Sequence, residues 1–143
     1  MSKLTTSPAG SAGEYYVLAE LLRRGYVAAT LYGGAKDYDI LAYHPESKKH
    51  LKIQVKTSQS KALSWKLGDH EPAFDDETFY VFVTLLDFDS PTYYIFDSAT
   101  VSARAEHRHN TPTNKGTPRS SGRKFIMEKS EIPLHKNAWE IML

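Results

Sequence analysis

One short stretch with a strict alternation of apolar and polar residues limits the fold of this chain more than any other feature. It is "HLKIQVKTSQS", residues 50–60, in which two sets of side chains alternate: Leu51, Ile53 and Val55 against Lys52, Gln54 and Lys56. A period of two places the two sets on opposite faces of a β-strand. One face is therefore buried, and on the other an amide and an ammonium lie about 7 Å apart along the strand.

The rest of the chain predicts one long helix, several more strands and a second helix. The apolar spacing favours a helix over residues 12–24, closed by Gly25. The expected strands cover residues 26–31, 38–43, 51–56, 78–85, 93–96 and 125–128, with a second helix from Asp97–Ser98 to about residue 107. The run "TFYVFVTL" is apolar on both faces, which is typical of a central strand. The order predicts a single α/β domain over residues 11–143, with a mixed sheet flanked by helices, after a flexible tail of residues 1–10.

Composition excludes several classes of function. The 143 residues contain no cysteine, so the chain has no disulfide framework and no thiolate metal site. No apolar run approaches the roughly 20 residues of a membrane span, and no signal peptide is visible, so we expect a cytoplasmic protein. The histidines lack a helical i, i+4 pair, and neither a nucleophile elbow nor a glycine-rich phosphate loop is present.

The net charge of +1 conceals a basic stretch near the C-terminus. Its Lys and Arg residues, against Glu106 alone, are candidates for contact with nucleic-acid phosphates: Arg104, Arg108, Lys115, Arg119, Arg123 and Lys124. The alternatives are a solvated surface loop and a dimer contact.

Two acidic residues occupy informative positions earlier in the chain. Glu14 falls among apolar residues on the predicted helix, where a carboxylate is costly unless it is paired. The alternative is a capping box from Ser11 to Glu14 at the start of that helix. Asp39 enters the second predicted strand in step with Leu41, and Asp37 is a second candidate, although an acid at a strand start is often only a turn residue.

The combination of these residues points to chemistry that none of them indicates alone. A helix carboxylate, an acid entering a strand and the pair Gln54 and Lys56 occur within about 43 residues. Carboxylate and amide oxygens suit Mg²⁺, and an ammonium can stabilise a phosphodiester transition state. By themselves Gln54 and Lys56 would be an exposed polar strand face.

Residues 13–58, "GEYYVLAELLRRGY…DYDIL…LKIQVKTS", resemble the PD-(D/E)XK nuclease superfamily, especially its small bacterial and Holliday-junction-resolvase-like members. The resemblance implies a restriction-endonuclease-like αβββαβ core. It also implies catalytic roles for four residues: Glu14, Asp39, Gln54 and Lys56. Mg²⁺, or Mn²⁺, would be held by Glu14, Asp39, Gln54 and the carbonyl of Val55. Tyr38 stands where the motif nominally has proline, and Gln54 replaces its second acid, which leaves one negative charge fewer for the metal.

The sequence therefore predicts a metal-dependent endonuclease that hydrolyses phosphodiester bonds in duplex or branched DNA. Thr57 and Ser58 are expected near the DNA because they directly follow the motif, and Trp65 is expected there because it lies between Ser64 and Lys66. The alternative for Trp65 is a place in the core, as for most aromatic residues. Members of the superfamily often form dimers, so the resemblance also suggests a homodimer. The alternative is a catalytically inactive nuclease-fold module that binds nucleic acid or a partner protein, with Gln54 as the mark of a decayed site.

Overall fold

The computed structural model describes residues 6–31, 38–68, 74–112 and 122–143. Over these residues the chain forms the following elements in order: α1 (Thr6–Arg23), β1 (Val27–Thr30), β2 (Ile40–His44), β3 (Lys49–Ser58), β4 (Ser64–Lys66), β5 (Thr78–Thr84), β6 (Thr92–Asp97), α2 (Ser98–Asn110), β7 (Lys124–Ile126) and α3 (Ile132–His135). Short 3-10 turns follow at Lys129–Glu131 and Trp139–Met142.

The main sheet has five strands in the order β1-β2-β3-β5-β6. Strands β3 and β5 run parallel, whereas the other neighbours are antiparallel. The predicted α/β class with a mixed sheet flanked by helices is confirmed, and so is the interior position of β5. The alternating stretch 51–56 lies inside β3, which is longer at both ends than the pattern predicted.

Each face of the sheet carries its own apolar core. On the first face, α1 packs Val17 and Leu21 against aliphatic side chains of β3 and β5, among them Ile53 and Val81. The second core is largely aromatic and lies under α2, β4 and β7. Its largest fully buried side chains are Trp65, Tyr80, Phe82, Phe96 and Phe125. Alternate residues of β5 enter the two cores, which explains why that strand is apolar on both faces.

Two predictions at the N-terminus are wrong. Helix α1 begins at Thr6, so residues 6–10 belong to the helix and not to a flexible tail. Ser11 consequently lies inside the helix and cannot be the first residue of a capping box. Helical propensity at Ala9 and burial of its side chain, only 5% exposed, extend the helix past Gly10 and the proline at position 8.

The stretch around Trp65, where the sequence predicts no strand, forms strand β4. It pairs antiparallel with β7, the closing strand, in a separate two-stranded sheet that we call the β4–β7 ribbon. In its described part, the connection from β3 to β5 contains β4 and no helix. Within the described ranges, no helix combines the length and apolar character required to cross a bilayer.

Candidate active site

Asp39 lies where strand β2 separates from β3. The last paired residues are Ile40 and Ile53, and the backbone N–H of Asp39 donates to the Ile53 carbonyl at 2.9 Å. Asp39 Oδ2 accepts a hydrogen bond from the N–H of Val55 at 2.8 Å. The carboxylate thus replaces the backbone carbonyl that would accept this bond if β2 continued alongside β3. Because the N–H and C=O of one strand residue point to the same side, the Val55 carbonyl also faces this edge.

Glu14 reaches the same place from helix α1, and Gly13 makes this possible. A Cβ atom on Gly13 would lie 1.9 Å from Oγ1 of Thr57 on β3, far inside any real contact. The missing side chain thus lets the helix lie directly on the strand. The next residue, Glu14, forms a side-chain hydrogen bond with Asp39. We call Glu14 and Asp39 the carboxylate pair.

The electrostatics of the carboxylate pair follow from burial and from like charge. The pKa of Glu14 is raised from 4.5 to about 7, first by burial and then by the charge of Asp39 and the hydrogen bond between the two groups. The ammonium of Lys56 acts in the opposite direction and lowers the pKa of Glu14. Two adjacent carboxylates therefore hold a proton near neutral pH, and a cation placed between them would relieve their repulsion.

Gln54 and Lys56 occupy the face of β3 opposite to Val55. Gln54 pairs in register with Tyr80 of β5, a member of the aromatic core, and is only 5% exposed. Lys56 is two residues further on the same face and is half-buried. The structure thus brings Glu14, Asp39 and Lys56 together, and it places Gln54 beneath the second core beside Lys56.

The residues predicted to contact nucleic acid after the motif separate into two groups. Thr57, Ser58 and Lys124 line one cleft of about 510 Å³. Trp65 lines the same cleft, but its ring is only 2% exposed and its indole N–H donates to the carbonyl of Val83 at 3.0 Å. The apolar area of a tryptophan ring favours this burial once its N–H has a partner.

Among the predicted arginines, two already bind carboxylates of the protein. Arg104 Nη1 donates to Glu131 Oε2 at 2.8 Å, and the ion pair raises the pKa of Arg104 and lowers that of Glu131. Arg123 forms an ion pair with Glu106. Arg104 and Arg108 line a second cavity of about 500 Å³, whose described lining shares no residue with the first cleft.

Three candidates fall outside the described residues: Asp37, Lys115 and Arg119. Conversely, the sequence did not single out Lys66, which lines the first cleft together with Lys56 and Lys124. Strands of three residues are too short for a periodic signal. The apolar residues at positions 65 and 125, each beside a lysine, were the only available indication.

The donor set at the carboxylate pair is small. Across the described ranges, no cluster of three or more His, Cys, Asp or Glu side chains could hold a metal ion. Mg²⁺ nonetheless uses one or two protein carboxylates in most sites and keeps several waters. Two adjacent carboxylates with a strand carbonyl at the same edge therefore match the chemistry of a hydrated hard cation.

Solved structures with the same architecture place the chain in a known fold. A bacterial homing endonuclease, I-Ssp6803I, is similar with a TM-score of 0.62 and 16% sequence identity. The match covers 99% of this chain and 93% of the homing endonuclease. The Holliday junction resolvase Hjc of Archaeoglobus fulgidus, an archaeal hyperthermophile, is similar with a TM-score of 0.50 and 18% sequence identity. The match covers 93% of this chain and 94% of the resolvase. The chain has the PD-(D/E)XK nuclease fold. No family model and no curated protein sequence matches it.

The nuclease fold confirms the resemblance carried by residues 13–58 at the level of architecture. The variant motif with glutamine at position 54 remains a prediction. At such low identities the shared property is the fold, so the function has to be argued from the carboxylate pair and its surroundings.

Proposed function

We propose that this chain is a Mg²⁺-dependent endonuclease that hydrolyses phosphodiester bonds in duplex or branched DNA. One observation carries the proposal: the carboxylate pair lies at the end of the β2–β3 pairing, with the Lys56 ammonium near enough to lower the pKa of Glu14. Similarity to a homing endonuclease and a Holliday junction resolvase supports DNA as the substrate.

The residues that would hold Mg²⁺ are Glu14, Asp39 and the carbonyl of Val55, with Gln54 as a neutral oxygen donor. Mn²⁺ would fit the same oxygen ligands. When bound, the metal would lower the pKa of a water and neutralise negative charge on the phosphate. The hydrogen bond from Val55 N–H holds the Asp39 carboxylate in a fixed orientation beside Glu14, as a metal ligand requires.

Lys56 would act on the phosphate rather than on the metal. An ammonium beside the carboxylate pair can donate hydrogen bonds to a phosphate oxygen while negative charge develops there. Its position on a central strand, between two packed cores, reduces the movement needed during the reaction. The carboxylates and the ammonium thus have separate roles that a single substitution can distinguish.

The alternative is an inactive nuclease-fold module that binds nucleic acid or a partner protein. A specific observation favours it: Gln54 is buried and uncharged at the position where the resemblance predicts a second acid. Such a site would offer the metal one negative charge fewer and bind it more weakly.

A cleavage assay separates these alternatives. The parent protein should nick supercoiled plasmid, linear duplex or a four-way junction in Mg²⁺ or Mn²⁺, and EDTA should stop the reaction. Calorimetric titration with Mg²⁺ should show binding that Asp39→Asn weakens. If the parent binds DNA but neither binds Mg²⁺ nor cleaves any of these substrates, the enzyme proposal is wrong. Sedimentation of the same samples would test the expected homodimer.

A further inference from the structure

The described lining of the cleft beside the carboxylate pair contains three lysines and no acid. Its walls come from the first turns of α1, the end of β3 and the β4–β7 ribbon, and its volume is about 510 Å³. The described lining contains Lys56, Lys66 and Lys124, together with the hydroxyl groups of Ser58 and Ser64, but no Asp or Glu. We call this cavity the lysine cleft. Its charge and hydrogen-bond donors fit a polyanion.

The register of the ribbon places two of these lysines directly opposite each other. Lys66 is the partner of Lys124, and the neighbouring pair is Trp65 with Phe125. The aromatic pair faces the second core, so the lysine pair faces the other way, into the lysine cleft. Like charges directly opposite on neighbouring strands destabilise a sheet, and an anion bound between them would remove that repulsion.

The described surroundings of Lys66 and Lys124 give their ammonium groups no ion-pair partner. In the part of the chain that the structure describes, neither ammonium has a carboxylate within ion-pair distance. The contrast with nearby cations is direct, because Arg123 binds Glu106 and Lys52 binds Asp75 at 3.2 Å. Two cations of the sheet and its second layer thus have carboxylate partners, whereas the facing pair has none among the described residues.

The chemistry of the cleft favours the DNA backbone over the bases. Trp65 lines the cleft, but its ring is buried among Phe82 and Tyr94 and is not available for stacking on a base. Ammonium and hydroxyl groups recognise phosphates without regard to sequence. Contacts to the DNA backbone in this cleft would therefore continue along the same DNA strand from the phosphate bound by Lys56.

We propose that Lys66 and Lys124 form a phosphate clamp on the strand that is cleaved, next to the phosphate held by Lys56. The inference rests on the proposed function, because it takes DNA as the ligand, and it adds the β4–β7 ribbon as the element that holds the strand. The clamp contributes affinity and register to the complex, whereas Lys56 contributes to the chemical step.

The test is the salt dependence of DNA binding, measured by fluorescence anisotropy in EDTA so that no cleavage occurs. The variants are Lys66→Gln, Lys124→Gln and the double variant, each with two duplexes of unrelated sequence. Each substitution should reduce the slope of log K against log salt by about 0.9 and weaken binding equally for both duplexes. The double variant should lose about 1.8 from the slope.

A matched control is Lys49→Gln, at the other end of β3 and about 23 Å from Lys56 along the strand, beyond the screening length. It should keep the parental slope. The midpoint of thermal unfolding of the double variant should be unchanged or higher, since the substitution removes a repulsion. In Mg²⁺, its KM should rise while kcat at saturating DNA stays within about twofold of the parent.

The outcomes distinguish the two proposals. If the parent binds and cleaves DNA and the double variant keeps the parental slope, the clamp is wrong and the enzyme proposal stands. If the double variant loses the slope but the parent never cleaves, the clamp is supported as part of a binding module. If the parent does not bind DNA at any salt concentration, both proposals fail.

Discussion

The two layers that cover the sheet contribute opposite charges to the candidate site, and they do so through different kinds of packing. The α1 layer is aliphatic and positions Glu14 through the close contact of Gly13 with Thr57, where no Cβ atom would fit. The second layer is aromatic on its inner side, and on its outer side the β4–β7 ribbon presents lysines to a cleft. Substitutions near the acids should therefore change fold and chemistry together, whereas substitutions of the ribbon lysines should change binding alone.

The largest effect is expected at Lys56, on the strand between the two layers. Lys56→Ala should lower the cleavage rate about 10²–10³-fold or more, because the ammonium acts on charge that develops in the transition state. Unfolding by urea should be nearly unchanged, and single-turnover cleavage would measure the loss. Lys49→Ala, on the same strand, is the control and should cleave as the parent does. Parental cleavage by Lys56→Ala would remove Lys56 from the catalytic assignment.

Gly13→Ala tests how closely the α1 layer is packed. Alanine normally stabilises a helix relative to glycine by up to about 1 kcal/mol, but here the new Cβ would collide with Thr57. We expect a loss of about 1–3 kcal/mol in the free energy of unfolding and a lower cleavage rate, since the helix has to move Glu14 away from Asp39.

Gly10→Ala, in the same helix, is the matched control. A Cβ on Gly10 meets nothing within 4 Å, so this substitution should be neutral or stabilising. Equal behaviour of the two variants in urea unfolding would contradict the close contact between α1 and β3.

Gln54→Glu examines the boundary between the acidic site and the aromatic layer. A carboxylate at this buried position should lower the free energy of unfolding in EDTA by about 1–2 kcal/mol, with the nearby Lys56 charge limiting the cost. Mg²⁺ should recover part of the loss if the new oxygen joins the metal site. Cleavage should stay within about tenfold of the parent, roughly 1.4 kcal/mol in barrier. A gain of metal binding and nicking that the parent lacks would indicate a decayed site.

The smallest effect concerns pH and the carboxylate pair. Because the pKa of Glu14 is about 7 in the folded protein and 4.5 in the unfolded chain, the folded state keeps a proton that the unfolded state releases between these values. In EDTA, stability should therefore fall as pH rises from 4.5 to 7, by about 1 kcal/mol or less after solvent screening.

Glu14→Gln should remove this part of the pH dependence and be more stable than the parent above pH 7. Thermal unfolding at several pH values would measure both. A parental curve that Glu14→Gln leaves unchanged would show that Glu14 does not carry the proton.

The local sequence patterns predicted the main sheet because its strands are buried by the two cores, and burial produces strong apolar periodicity. In β3 the apolar residues lie on one face, in the first core, and this produces the alternation. In β5 apolar residues enter both cores, and this produces the continuous apolar run. The link between Glu14, Asp39 and Lys56 came from their combination of residue types and from the family resemblance, since no local pattern reports that a helix and two strands converge. Proximity in space is a property of packing.

The errors also have physical causes. The capping box at Ser11 failed because tertiary packing of Ala9 extends α1 by more than a turn beyond the helix that periodicity favours. A tryptophan between polar residues resembles a surface ring, yet the ring of Trp65 is buried at the wall of the lysine cleft and its N–H donates to Val83 inside the core. The basic residues near the C-terminus looked equivalent in sequence, and only the structure separates Arg104 and Arg123, with carboxylate partners, from Lys124.

The ribbon that carries the paired lysines joins two three-residue strands about 60 positions apart along the chain. Closing so long a loop costs entropy before any contact repays it, and a two-stranded sheet this short is not stable alone. By contrast, β5 and β6 are neighbours in sequence and pair early. The ribbon is thus expected to form late in folding and to open early in native-state hydrogen exchange. The lysine cleft would then be the last part of the DNA-binding surface to assemble, on a scaffold whose carboxylate pair already exists.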